Sequence, residues 1–228
     1  MRLRVAILGE IDYNEALNMQ QQLLQLRQQG EVGDIMLLLQ HPPTLTMGTR
    51  ENHYNIIAPE AELTKLGVKI VKTNRGGDVT YHGPGQVVGY PIIDLKGHGR
   101  SIKGYVNKIE ETFIQLLKQE YGIMAGREDK YHGVWIGDEK ITAIGCAVKR
   151  WVTMHGFAFN VNTNLNHFKW INPCGIIDRG VTSLQKELGQ RQDINKVHQQ
   201  VIKYFSEQFN FQPELISEQR LHRIIGRE

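Results

Sequence analysis

The sequence predicts an α/β domain of mixed and antiparallel sheets flanked by helices. Three observations lead there. Apolar residues recur at spacings of three and four in three long stretches, around residues 12–30, 101–121 and 194–209. A continuous apolar run at Ile35–Leu39 and another from Val87 to Ile93, interrupted by Gly89, are short for helices and read as buried strands. Between Gly133 and Val161, three strand-like runs follow one another through short turns, the pattern of an antiparallel meander.

Taken in order, Arg4–Leu8 opens the chain as a short strand. Asp12 then caps a helix, with Glu15 three residues on as the second member of a capping box. Ala16, Met19, Leu23 and Leu26 form its inner stripe, and Gly30 suits its C-terminal stop. Pro42-Pro43 ends the strand Ile35–Leu39, Thr44–Met47 is a further strand, and Pro59 begins a short helix that closes near Gly67. Val68–Val71 feeds a glycine-rich stretch. Ser101 caps the next helix, whose inner face is Tyr105, Ile109, Thr112, Phe113 and Leu116 and whose stop is Gly122. In the meander, the turn Gly137-Asp138-Glu139 separates Gly133–Ile136 from a strand beginning at Lys140, and Val152–Val161 follows Lys149-Arg150-Trp151. Leu165–Ile171 reads as irregular and delivers the chain to Pro173-Cys174-Gly175. The last helix carries Ile194, Val197, Val201, Phe205 and Phe209 on one core-packing stripe. The organisation is one domain over residues 1–212, with 213–228 as a partly ordered C-terminal extension.

Composition narrows the class. Of 228 residues, 40% are hydrophobic and 22% charged, ordinary values for a globular chain with a substantial core. A net charge of +3 is too mild for a nucleic-acid binder with a basic stripe. Apolar runs fall well short of the ~20 residues of a membrane span, and the start lacks the pattern of a signal peptide. Cys146 and Cys174 form neither a disulfide framework nor a Cys-x-x-Cys zinc pair. His41 and His53 stand in polar loop contexts without a second histidine at ligand spacing. The expectation is a cytoplasmic protein with free thiols, without metal or other cofactor, and without nucleic-acid or membrane partners.

The stretch Asn74–Pro91 stands apart. Five of its eighteen residues are glycine, yet it also holds Arg75, Asp78, Tyr81, His82 and Gln86. It reads as a glycine-lined wall with Arg75 and His82 at its rim, anchored by the apolar strand that follows; a glycine-rich hairpin without function is the competing reading. Neither phosphate-loop nor dinucleotide-loop spacing fits it.

Three more stretches follow in order: Lys140-I-T-A-I-G, M-H-G-F-A-F-N-V-N from Met154, and N-P-C-G-I around Cys174. With R-G-G-D-V-T-Y-H-G-P-G-Q, the set closely resembles the lipoyl(octanoyl) transferase family over roughly residues 10–210. The resemblance implies an α/β catalytic domain similar to that of biotin and lipoate protein ligases. It also implies transfer of octanoyl from octanoyl-acyl carrier protein to a lysine on lipoyl domains of 2-oxoacid dehydrogenases or on the glycine cleavage H protein.

By the same resemblance, Cys174 carries the acyl thioester and Lys140 activates it; read locally, Cys174 could be a buried structural thiol and Lys140 a solvated turn residue. A free thiol near pKa ~8.5 is only a few per cent thiolate at neutral pH, and a nearby ammonium favours the thiolate. Regular alternation would set Lys140, Thr142, Ile144 and Cys146 on one strand face. The acyl slot implied by the family is lined by Arg75, Gly76, Gly77, Asp78, Val79, Thr80, Tyr81 and His82, by Ala143, Ile144 and Gly145, and by Gly156, Phe157 and Ala158. The glycines there are expected to leave room for methylenes, each worth ~0.8 kcal/mol when buried. His82 or a backbone N–H beside Cys174 is the candidate oxyanion donor, His155 is a pocket-side or structural histidine, and Cys146 reads as a small core residue, with a peripheral role or a redox liability as the alternative. Arg50, Arg75, Lys149 and Arg150 are candidates for docking an acidic carrier. An ATP-dependent lipoate or biotin ligase is the leading alternative, and a non-catalytic acyl-binding module the second.

Overall fold

The computed structural model describes residues 1–50, 55–128, 131–172 and 179–226. The chain begins β1 (Arg2–Glu10), α1 (Tyr13–Gln29), β2 (Ile35–Gln40), β3 (Thr44–Met47), α2 (Glu60–Lys65) and β4 (Lys69–Lys72). Next come β5 (Val79–His82), β6 (Gln86–Ile92), α3 (Ile102–Tyr121), β7 (Val134–Ile136), β8 (Glu139–Lys149) and β9 (Val152–Asn160). It closes with β10 (Gly180–Val181), α4 (Leu184–Leu188), α5 (Ile194–Phe209), β11 (Gln212–Ile216) and α6 (Glu218–Ile224).

Local chemistry sets the helix ends. The Asp12 carboxylate accepts the N–H groups of Asn14 and Glu15, and Ser101 Oγ accepts that of Gly104. Gly30 and Gly122 stop α1 and α3 in the left-handed conformation, at φ 80° and 67°.

The strands form a mixed sheet in the order β10-β8-β9-β6-β2-β1-β11, with β7 also paired to β8. Alternation along the strands divides the core. Leu3, Val5, Met36, Leu38, Phe157 and Phe159 meet Phe113 of α3 and Phe205 of α5 on one face. Ala6, Leu8, Leu37, Val88, Tyr90 and Ala158 meet Ala16 and Met19 of α1 and Leu221 of α6 on the other. Gly89, which breaks the apolar run of β6, is where the Phe157 ring crosses the strand: any Cβ there would overlap the ring.

A second sheet, β4-β3-β5, has its own small core of Leu45, Val79 and Tyr81 with Leu63 and Phe168. Its other face presents Thr44, Thr46, Thr80 and His82, which lie opposite one another in the β3–β5 register.

Two expectations change. Leu165–Trp170 is a 3-10 helix, begun by the Asn164 side chain accepting the Asn166 N–H. The segment beyond Pro213 contributes a strand and a helix: β11 pairs in parallel with Arg2–Ala6, and Leu221 is fully buried. What sets this order is a partner at the opposite end of the chain.

Candidate active site

The glycine-rich wall is a loop laid directly on the large sheet. Gly76 N–H donates to the Cys146 carbonyl at 3.0 Å, and a Cβ on Gly145 would lie 2.8 Å from the Gly76 carbonyl oxygen. At Gly156, a Cβ would meet Pro91 Cδ at 2.6 Å and overlap the Gly89 carbonyl. Gly145 and Gly156 therefore admit neighbouring backbone rather than open space for methylenes. The residues after β3 pin the loop from the other side, with Thr49 N–H on the Arg75 carbonyl and Arg50 N–H on that of Gly77.

Arg75 is not at a rim. It is 7% exposed, and its guanidinium donates to the Thr46 and Asp78 carbonyls, both at 2.6 Å, and to Thr46 Oγ1. That burial removes it from the set of carrier-docking residues. Lys149 and Arg150 stand at the opposite end of β8 from Lys140, where the chain turns into β9.

A bulge in β8 decides where Lys140 points. Val134 pairs with Thr142 but Trp135 pairs with Lys140, so Ile141 is an extra residue in the strand. Ile141, Ile144 and Cys146 pack with the α3–α5 core, whereas Ala143 and Ala147 pack with the α1 core. Lys140 thus leaves the Ile144–Cys146 face expected for it and joins Ala143 and Gly145, on the side where the Arg75 loop lies. Lys140, Ala143, Gly145, Gly156 and Ala158 share that sheet face, and Gly145 meets the loop directly. The structure sends the side chains of Ile144 and Phe157 into the opposite core, and those of Val79 and Tyr81 into the small sheet's core.

Cys174 lies outside the described residues, as does His53. The two flanks of the Cys174 segment are described. Asn172 N–H donates to the Asn55 carbonyl at 2.7 Å, and Asn55 Nδ2 donates to the Asp78 carboxylate, which ties the upstream flank to the wall. Downstream, Val181 pairs with Lys140 and Thr182 N–H donates to the Lys140 carbonyl at 3.0 Å.

A family model described as the lipoyl protein ligase A/B catalytic domain matches residues 12–206. The chain belongs to that family. An octanoyltransferase of Desulforamulus reducens is 73% identical, with all of both chains covered. Lipoate-protein ligase A, solved with ATP, superposes with a TM-score of 0.75 at 17% identity, covering 99% of this chain and 93% of that one. Biotin protein ligase from Aquifex aeolicus, with biotin and ATP, gives a TM-score of 0.55 at 13% identity, covering 92% and 71%. At such identities the likeness shows the fold, which is the kinship with ligase catalytic domains that the motifs implied.

In this member of the lipoyl protein ligase A/B family, the wall is backed by a buried polar interior that sequence reading missed. His41, assigned to a polar loop, is fully buried, with Nδ1 2.6 Å from the Ile11 carbonyl and Nε2 2.7 Å from the Tyr90 hydroxyl. The flanking Pro42-Pro43 and Gln40 hide this, because the burial comes from Tyr13 and Tyr90 on other elements. His82 is held by Gln86 Oε1 at 2.8 Å, and Gln86 continues through Asn160 to the Thr182 carbonyl. His155, at φ 55°, turns away from the Phe157 face and meets Asn74 Oδ1 at 2.7 Å.

Burial holds all three imidazoles neutral. It lowers His41 and His155 to about 4 and His82 well below its ordinary value, with Arg75 adding to the effect on His82 and His155. A neutral, committed His82 is thus a poor cationic oxyanion donor. Burial likewise pushes the Cys146 thiol up to about 11, consistent with an inert packing residue.

The sign of the histidine effect predicts acid lability. Above the ordinary histidine value of 6.5, neither state binds the proton; below it, the unfolded chain gains protons that the folded site refuses. Stability should therefore fall between pH 6.5 and 4, by on the order of 3 kcal/mol for each of His41 and His155 at the lower limit. Urea unfolding across that range checks this, and His41→Asn should flatten the slope.

Proposed function

We propose that the chain is an octanoyltransferase that works through a thioester on Cys174, with Lys140 as its charge partner and base. The observation that carries the pairing is the anchoring of the described flanks. Asn172 is tied to the glycine wall, and Val181 and Thr182 are tied to Lys140. The donor is octanoyl-acyl carrier protein, and the acceptor is a lysine on lipoyl domains of 2-oxoacid dehydrogenases or on the glycine cleavage H protein.

The resting pair is a thiolate and an ammonium. Cys174 attacks the donor carbonyl; the new C–S bond forms as the carrier's thiolate leaves and takes a proton from Lys140. The acceptor lysine then enters as a free amine and attacks the acyl-enzyme. Its surplus proton passes to Lys140 as the C–N bond forms, and the Cys174 thiolate is released. The acceptor, a group of pKa ~10.4, loses its first proton to solvent before it attacks, and Lys140 is the base that takes the second. Exchange of a thioester for an amide is downhill, so the cycle closes without nucleotide.

Transfer from octanoyl carrier protein to a lipoyl domain should proceed at full rate in purified protein treated with apyrase. A strict requirement for ATP would instead favour the ligase chemistry of the structural relatives.

A further inference from the structure

We propose that the indole of Trp135 is a positioning group for Lys140, holding its ammonium on the ring face so that the lysine is presented as the charged partner in the reaction above. The inference rests on that reading for its purpose, but its geometry stands alone. Lys140 Nζ lies 4.7 Å from the centroid of the Trp135 ring, within the range of a cation–π contact. The ring is itself fixed: Trp135 is 3% exposed, and its Nε1–H donates to the Tyr131 carbonyl at 3.2 Å. The two residues are register partners, set opposite each other by the Ile141 bulge that also turns Lys140 towards the wall.

The stem of the lysine is guided as well. Gly133, at φ 131°, faces it, and a Cβ there would come 3.3 Å from Lys140 Cδ and 2.6 Å from the Thr142 carbonyl. A side chain at 133 would thus crowd the strand and the lysine together.

Other charges surround this contact. Arg179 approaches the same ring, with Cζ 5.9 Å from its centroid, and pairs with Asp138 and Glu128. Glu139 pairs with Lys186 of α4, and Glu110 of α3 receives Gly133 N–H, with Arg127 and His132 beside it. Among these groups Trp135 presents an uncharged π face to Lys140. Such a face favours the ammonium over the amine, opposing the effect of burial.

The test varies the ring's electrostatics without its shape. Trp135 is replaced site-specifically by mono-, di- and trifluorotryptophan, and the Lys140 amine is titrated by NMR of 13Cε-lysine, assigned with Lys140→Arg. The expected result is a stepwise fall in the Lys140 midpoint, by about half to one pH unit over the series. Trp135→Phe should fall within the series and Trp135→Leu beyond it. An unchanged midpoint across the fluorinated proteins would overturn the proposal, since a merely structural tryptophan tolerates isosteric fluorine. Alkylation of Cys174 against pH, measured on the same proteins, separates the two readings. A Lys140 midpoint that moves while the alkylation profile stays still supports the Trp135 contact and removes the dyad; midpoints and profile both unmoved remove the contact.

Discussion

Cys174→Ala is expected to abolish octanoyl transfer, by at least about 10³-fold, while leaving the thermal transition close to that of the parent protein. On the proposed mechanism, loss of the sulfur removes the atom that takes the acyl group, and no second thiol is suited to replace it. Cys146 is the other cysteine in the chain, and its thiol is held protonated by burial among the α3–α5 core residues. Binding of the donor should persist in the variant, so the fall should appear in kcat far more than in KM. A variant that keeps transferring through a covalent adduct would show that the nucleophile lies elsewhere.

Lys140→Ala should lower kcat by about 10²- to 10⁴-fold, the range of a positioned acid–base group. Two losses combine there. In the proposed dyad, the thiol at Cys174 loses the charge that favours its thiolate, and the acceptor amine loses the group that takes its proton. Alkylation of Cys174 should slow at pH 7 and its midpoint should move upward, towards the ~8.5 of a free thiol. Lys140 is half-buried on the strand, with its stem against Gly133, so the truncation leaves a small void there. An unchanged alkylation profile would separate the lysine from the thiol and leave it a role in acceptor deprotonation alone.

Much of the fold is legible because its determinants are local. The helix Ile194–Phe209 appears with the bounds its stripe implies, and Thr44–Met47 likewise, since period and flanking residues lie within the element itself. Motif order carried the family, which the match over residues 12–206 bears out. What stayed hidden depends on residues far away in sequence. The parallel pairing of β11 with β1 joins the two ends of the chain, and nothing in Gln212–Ile216 alone names its partner. The bulge at Ile141 is visible only in the mismatch between β7 and β8, and one extra residue reverses the face of everything before it. His41 looks polar because its neighbours are, whereas its surroundings are Tyr13, His82 and Tyr90. The glycines of the wall were read for the space they leave; the structure fills that space with main chain, which the sequence has no means of showing.

The central claim is that octanoyl rests covalently on Cys174 between donor and acceptor. Mixing the protein with octanoyl-acyl carrier protein in the absence of acceptor, followed by intact mass and peptide mapping, tests it most directly. The account predicts one octanoyl group per chain, mapped to Cys174, sensitive to hydroxylamine and discharged when a lipoyl domain is added. A protein that transfers octanoyl at full rate but carries no adduct, or carries it on a residue other than Cys174, would contradict the account.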